Sequence, residues 1–230
     1  IRDRKYTAAG TYSVILTTKT NRGCKDTTQK QVVVHPKASP SFTLNADSQC
    51  LKGNVFTITN TSSIASGSIG KYDWDFGDGY TTSTTNTTTK PSHSYASKGT
   101  YTVRLITSSG YGCKDTQTRK VGVWPQAQVW FSIVGDTVQC DGHNKYTFTD
   151  SSKISPGSLS TYSWNLGDGS ANKSGSSTTY SYTSSGTFTV SHMTVSNNGC
   201  KDTAKRNVKL LAKTNISFTL PLASLSLIHI

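Results

Sequence analysis

Trp74-Asp75-Phe76-Gly77-Asp78-Gly79 is followed by His93-Ser94-Tyr95 and then by Gly99-Thr100-Tyr101-Thr102-Val103. Gly77 and Gly79 supply positive φ and Asp78 caps its own turn, so the hexapeptide reads as a tight turn behind an aromatic strand. From Gly99 onward, Tyr101, Val103 and Leu105 alternate with Thr100, Thr102 and Arg104. That is the period of a strand with one face on a core and the other in water. Val55-Phe56-Thr57-Ile58-Thr59-Asn60 upstream alternates in the same way.

The same landmarks return. Trp164-Asn165-Leu166-Gly167-Asp168-Gly169 stands 90 residues after the first hexapeptide, followed by Tyr180-Ser181-Tyr182 and Gly186-Thr187-Phe188-Thr189-Val190. Tyr6 to Val14 is an earlier copy of Tyr95 to Val103, and Cys-Lys-Asp-Thr begins at Cys24, Cys113 and Cys200. A period this long exceeds that of a solenoid repeat and equals a small independent domain. The 230 residues therefore divide into 1–37, the C-terminal half of a repeat, then two complete domains, 38–125 and 126–212. Residues 213–230 read as the start of a further repeat or a strand-donating tail, since Ser217-Phe218-Thr219-Leu220 echoes Ser41-Phe42-Thr43-Leu44. The chain is thus expected to be a window on a long covalent repeat array, or a subunit whose ends self-associate with neighbours by strand addition.

Composition points the same way. Ser and Thr make up 69 residues, the hydrophobic fraction is 33% and mean hydropathy is −0.44, which favours surface-rich extended structure over helix bundles. Six to eight short strands per unit give an all-β fold of tandem immunoglobulin-like β-sandwiches. Trp74 and Trp164 are assigned between the sheets, Tyr95 and Tyr182 to a position where the hydroxyl bonds loop backbone, and Asp78 and Asp168 to turn N–H groups. The slot of Leu16 and Leu105 holds His192 in the third repeat, which implies a register-shifting bulge or an imidazole at the core rim. With no run of about 20 apolar residues there is no transmembrane segment. The net charge of +12 is spread without a Lys/Arg cluster, so it fits solubility or an acidic surface and no nucleic-acid groove.

The cysteines follow the repeat. Cys50 and Cys140 are early in their repeats, Cys113 and Cys200 late, and Cys24 is late in the truncated repeat. Two thiols per domain without paired histidines suit disulfides and not zinc. The expected bonds are Cys50 to Cys113 and Cys140 to Cys200, with the partner of Cys24 upstream, in an oxidising and hence extracellular compartment.

The turn, the downstream Tyr and the Gly99 and Gly186 strands together resemble the signature of the PKD domain, the immunoglobulin-like module named after polycystic kidney disease protein. The third repeat departs at Asn165, where the family commonly has Asp, and at Tyr180, which replaces His93. Tandem repetition with Cys-Lys-Asp-Thr looks like the large secreted surface proteins of Bacteroidota-type bacteria, among them adhesins and filament repeats. The resemblance implies a secreted or cell-surface location and a structural or adhesive, non-catalytic function, with contacts to glycans or cell-surface components. Its alternative is an accessory module array of a secreted polysaccharide- or protein-degrading enzyme.

The remaining candidate sites are few. Asp73, Asp75 and Asp78 can present oxygens to Ca²⁺, but the third repeat has Ser163, Asn165 and Asp168 there and neither has EF-hand spacing. No Gly-x-Ser-x-Gly, His-Glu-x-x-His or phosphate loop occurs and the histidines do not align between repeats, so no catalytic site and no obligate cofactor is expected. Trp124 and Trp130 flank Pro125, either as sugar platforms or as packing at the joint. Asn60, Asn86, Asn172 and Asn215 fit the N-glycosylation triplet. Thr81, Thr82, Ser83, Thr84, Thr85, Thr87, Thr88 and Thr89 form a hydroxyl tract expected to be an exposed loop for O-linked sugar, with Ser174 to Thr179 as its counterpart.

Overall fold

The computed structural model describes residues 4–218. The echo at Ser217 to Leu220 falls partly outside them, and residues 213–218 carry no strand. Among the described residues there are strands and no helix, as the sequence implies, and no helix is long and apolar enough to cross a membrane. The chain divides into two compact units, Ile1–Pro125 and Gln126–Ile230.

The first unit opens with a hairpin of β1 (Gly10–Lys19) and β2 (Lys25–Val34), paired from Gly10↔Val34 to Lys19↔Lys25. It has the sequence of the late strands of a repeat but forms a two-stranded ribbon, leaving Ile15 and Leu16 59% and 60% exposed. The second repeat follows as β3 (Ala38–Ser39), β4 (Phe42–Leu44), β5 (Ser48–Cys50), β6 (Phe56–Asn60), β7 (Ser63–Ile64), β8 (Ile69–Asp75), β9 (Thr81–Thr84), β10 (Ser92–His93), β11 (Gly99–Ser109) and β12 (Lys114–Trp124). These build a five-stranded sheet, β5-β12-β11-β8-β9, and a three-stranded sheet, β10-β6-β4, with β3 and β7 as a short separate pair. The alternation read from the sequence is the pleat: Val103 and Leu105 on β11, Val121 and Val123 on β12, and Phe56 and Ile58 on β6 all point into one core around Trp74. Phe42 meets the Trp74 ring edge-on at 5.4 Å. Burying an indole removes about 200 Å² from water, which at about 25 cal/mol per Å² makes this side chain one of the largest contributors to so small a core.

The second unit repeats the plan with β13 (Phe131–Val134), β14 (Val138–Cys140), β15 (Tyr146–Asp150), β16 (Leu159–Asn165), β17 (Lys173–Ser174), β18 (Ser177–Tyr180), β19 (Gly186–Ser196) and β20 (Lys201–Leu211). Its sheets are β14-β20-β19-β16-β17 and β13-β15-β18, and Phe131 packs edge-on against Trp164 at 5.2 Å. The edge differs between the units. β17 is half the length of β9, and the chain then crosses to pair β18 with β15, from Tyr146↔Tyr180 to Thr149↔Ser177. That early departure brings the Gly175 carbonyl to accept the Trp164 indole N–H at 2.8 Å.

Four sequence expectations need correction. The hydroxyl tract is not one loop: Thr81 to Thr84 are the edge strand β9, paired with β8, and only 85–89 form an exposed turn. Its counterpart is likewise split between β17 and β18. His192 causes no bulge and does not sit at the rim. Its register runs unbroken as Trp164↔His192↔Ala204, and the imidazole is fully buried, stacked on Trp164 at 3.7 Å with Nε2 donating to Asp150 Oδ1 at 2.8 Å.

The disulfides also differ from expectation. β5 runs parallel to β12 with Cys50 opposite Trp124, whereas Cys113 precedes the first residue of that strand. Eleven steps of about 3.3 Å put the two cysteines roughly 35 Å apart, and a bridge needs Cα atoms within about 7 Å. Cys140 opposite Leu211 and Cys200 before Lys201 repeat the geometry. Cys24, Cys113 and Cys140 are free, while Cys50 and Cys200 are disulfide-bonded.

Candidate functional site

Each unit has its signature turn where a strand of the five-stranded sheet ends. In the first unit Asp75 Oδ1 accepts the Gly77 N–H at 2.9 Å and Asp78 Oδ1 accepts that of Tyr80 at 3.1 Å. Gly77 sits at φ +80°, and a Cβ there would lie 2.7 Å from the Thr102 carbonyl oxygen and 2.9 Å from its nitrogen, so the close approach demands glycine. Gly79, at φ +97°, has open space around it and is needed only for its conformation. His93 Nε2 donates to Asp78 Oδ2 at 2.6 Å, and its ring stacks on exposed Tyr80 at 4.9 Å. Behind the turn the buried Tyr95 hydroxyl donates to the Phe76 carbonyl at 2.8 Å, and its ring stacks on Tyr101 at 3.9 Å.

The second unit keeps the frame and changes the chemistry. Asn165 Oδ1 accepts the Gly167 N–H at 3.0 Å, so the amide oxygen replaces the Asp75 carboxylate as acceptor. The second Asp75 oxygen binds Arg104 Nη2 at 2.8 Å, and opposite Asn165 stands Ser191, which needs no counter-charge. Tyr180 takes the place of His93, its hydroxyl donating to Asp168 Oδ2 at 2.6 Å while Asp168 Oδ1 accepts the Ser170 N–H. Tyr182 donates to the Leu166 carbonyl at 2.8 Å and stacks on Phe188, on the strand that opens at Gly186. Gly167 and Gly169 repeat the positive φ, and a Cβ at Gly167 would lie 2.6 Å from Thr189 O.

The electrostatics follow from these partners. Burial alone would raise the Asp78 carboxyl, but hydrogen bonds from His93 and the Tyr80 N–H outweigh it and hold the group below its ordinary range. For Asp168, burial is likewise outweighed by Ser170 and Tyr180. Asp73 is lowered by Lys71 Nζ at 2.7 Å and the Ser83 hydroxyl at 2.5 Å against its own burial. Tyr95 and Tyr182 are pushed well up, first by burial and then by nearby Asp78 and Asp168. Asp73, Asp75 and Asp78 thus each serve a different donor, and among the described residues no three His, Cys, Asp or Glu side chains gather to hold a metal.

The chain belongs to the PKD-domain family. The PKD family model matches residues 37–123 and again 131–210. Two curated relatives are 32% identical: a microbial collagenase of Vibrio alginolyticus over 111 residues, 48% of this chain and 13% of that protein, and collagenase ColA of Bacillus cereus over 102 residues, 44% and 10%. The chain therefore spans about a tenth of the length of these relatives. Among solved structures, the PKD1 domain of the Vibrio cholerae metalloprotease PrtV is 31% identical, covering 39% of this chain and 98% of that one with a TM-score of 0.32.

Beyond the signature, the PKD repeats share polar clamps that the sequence reading passed over. Asn54 Oδ1 accepts the Tyr95 N–H at 2.7 Å while its amide donates to the Tyr95 and Leu51 carbonyls, and Asn144 treats Tyr182 in the same way. Arg119 and Arg206 reach back to the Phe42 and Phe131 carbonyls. The signal was present: Asn54 and Asn144 are 90 residues apart, the spacing of Cys50 and Cys140.

The other candidates scatter over the surface. Asn60 is buried at 6% exposure, its Oδ1 holding Ser62, so its amide cannot carry a glycan in the folded domain. Asn86, Asn172 and Asn215 are exposed. Trp124 is 38% and Trp130 58% exposed, with the Arg206 guanidinium 5.3 Å from the Trp130 ring centre.

Proposed function

We propose that these repeats are non-catalytic accessory modules of a secreted bacterial protein-degrading enzyme of the collagenase kind, serving to hold it on its protein substrate. The observation that carries this reading is the 32% identity to two collagenases over about a hundred residues. The chemistry of the repeats is in keeping with it. The signature carboxylates are occupied by turn N–H groups, Arg104, His93 and Tyr180. Among the side chains facing solvent are four aromatics, Tyr80, Tyr111, Trp124 and Trp130, suited to gripping a polymer surface. Sedimentation with insoluble fibrillar collagen tests this. The protein is expected in the pellet, with loss of retention in Tyr80→Ala and Trp130→Ala, and in the supernatant with cellulose or chitin. Retention on a polysaccharide alone, or on nothing, would overturn it.

A structural or adhesive filament is the second reading, favoured by the exposed Val14, Ile15 and Leu16 of the β1–β2 ribbon. Reversible end-to-end association in analytical ultracentrifugation, abolished by deleting residues 1–37, is its signature.

A further inference from the structure

The β1–β2 ribbon has the late-strand pattern of a repeat, yet its apolar face is bare. Val14, Leu16 and Val32 are exposed, whereas Val103, Leu105 and Val121, at the same places in the second repeat, are buried. Its tyrosine corner is nevertheless already built. Tyr6 stacks on Tyr12 at 4.1 Å, and the Tyr12 hydroxyl donates to the Ala8 carbonyl at 2.7 Å. Tyr95 and Tyr101 stack in the same manner at 3.9 Å, with the Tyr101 hydroxyl on the Ser97 carbonyl at 2.7 Å. Beside the corner is a hollow lined by Arg4, Tyr6, Tyr12, Ser13, Val14 and Ile15. Counted from the tyrosines, these are the positions that hold the Gly-Asp-Gly turn in both whole repeats.

Each contact that seats the turn has its counterpart in the ribbon. Tyr95 and Tyr182 donate to the carbonyls of Phe76 and Leu166, while the Tyr6 hydroxyl has no hydrogen-bond partner among the described residues. Gly77 and Gly167 press on the backbones of Thr102 and Thr189, whose place is taken by Ser13. His93 and Tyr180 donate to the second oxygens of Asp78 and Asp168, and Arg4 stands in that position, its guanidinium 5.5 Å from the Tyr6 ring centre. Ile15 stands where Arg104 binds Asp75 and where Ser191 pairs with Asn165, so the ribbon suits an uncharged residue before the turn. We propose that the ribbon is an acceptor face for the strand and Gly-Asp-Gly turn of an early half-repeat, a segment of the type Trp-Asn-Leu-Gly-Asp-Gly that has no late strands of its own. The segment pairs with β1, its Trp opposite Leu16 as Trp74 is opposite Leu105, its first turn glycine on Ser13 and its turn carboxylate on Arg4. Docking covers Val14 and Leu16 and pairs the open edge of β1, which a two-stranded ribbon leaves as a template for another strand. The turns of a second intact copy do not qualify, because both are seated on their own tyrosines.

Fluorescence anisotropy tests this with the full chain and a fluorescein-labelled peptide of residues 158–170, which contains β16 and its turn. Saturable binding is expected, weakened about fivefold or more by Arg4→Ala in the protein or by Asp168→Ala in the peptide. The two changes together are expected to cost no more than either alone, because they remove one contact. Asn165→Asp in the peptide is expected to weaken binding roughly threefold or more, and Gly167→Ala to remove it. Absence of saturable binding, or binding that survives Gly167→Ala or ignores Arg4→Ala, would overturn the proposal. Amide hydrogen exchange locates the site without any variant. The peptide is expected to slow exchange in residues 12–18, and slowing confined to 99–109 or 186–196 would overturn it. Residues 12–18 already protected without peptide, through a reversible dimer in analytical ultracentrifugation, would give the face to a second copy and equally overturn it.

Discussion

At residue 192 a histidine lies fully buried where the other repeats have leucine, and it is tolerable because a second position changed with it. The second repeat has Leu105 and Asn60 at the two equivalent positions, and the third joins His192 to Asp150, whose carboxylate also holds Ser152. The exchange couples a charge-assisted hydrogen bond to its own counter-group, and breaking half of it strands the other half in a dry core. His192→Leu is therefore expected to destabilise the second unit by about 2 kcal/mol in urea unfolding, and His192→Leu with Asp150→Asn to recover more than half of that loss. Equal destabilisation in the single and double variants would mean that the two side chains are not coupled. The turn residues set the pH limits. Asp73, Asp78 and Asp168, held below their ordinary 3.8, contribute stability that is present above that pH and lost as pH falls through their folded values. Tyr95 and Tyr182, held above their ordinary 10.0, contribute stability that is full below that pH and lost as pH rises past it. Tm is expected to be flat from about pH 5 to 9 and to fall on both sides, with the alkaline fall weakened in Tyr95→Phe/Tyr182→Phe.

At the scale of elements, what was legible was what repeats with period two. The alternations from Gly99 and Gly186 place the strands and the core, and the Gly-Asp-Gly turns mark where strands end. What a linear reading missed was pairing. Thr81 to Thr84 look like the rest of a hydroxyl tract, and only their register with Tyr72 to Asp75 makes them an edge strand. The cysteines misled for the same reason, since their placement suggested a pair and the parallel β5–β12 contact sets them at opposite ends of one strand. Asn165 read as a lost ligand, yet its oxygen makes the hydrogen bond that the turn requires. The edge strand also limits modification. Thr82 and Thr84 are half-buried, and the Ser83 hydroxyl is engaged by Asp73, so sugar added to the folded protein is expected on 85–89 and not on those three. Glycopeptide sequencing that placed sugar on Thr82 or Thr84 would contradict the β9 pairing.

At the scale of the whole molecule the two units are variations on one design. The same Tyr, Asn, Arg and Gly positions do the same structural tasks in both, while the exposed aromatics differ from repeat to repeat. Tyr80 has Ser170 in its place, and Trp130 has no matching aromatic at the start of the second repeat. Structure duplicated while surface diverged is what a modular spacer with changing contacts needs. The most direct test is to capture the native product from the medium of its producing organism with antibody against these repeats and run it on a gelatin zymogram. A cleared band at a mass well above 24.8 kDa, recognised by the same antibody, is the expected result. An antibody-reactive product of high mass with no proteolysis of gelatin or collagen would contradict it and return the repeats to an adhesive filament.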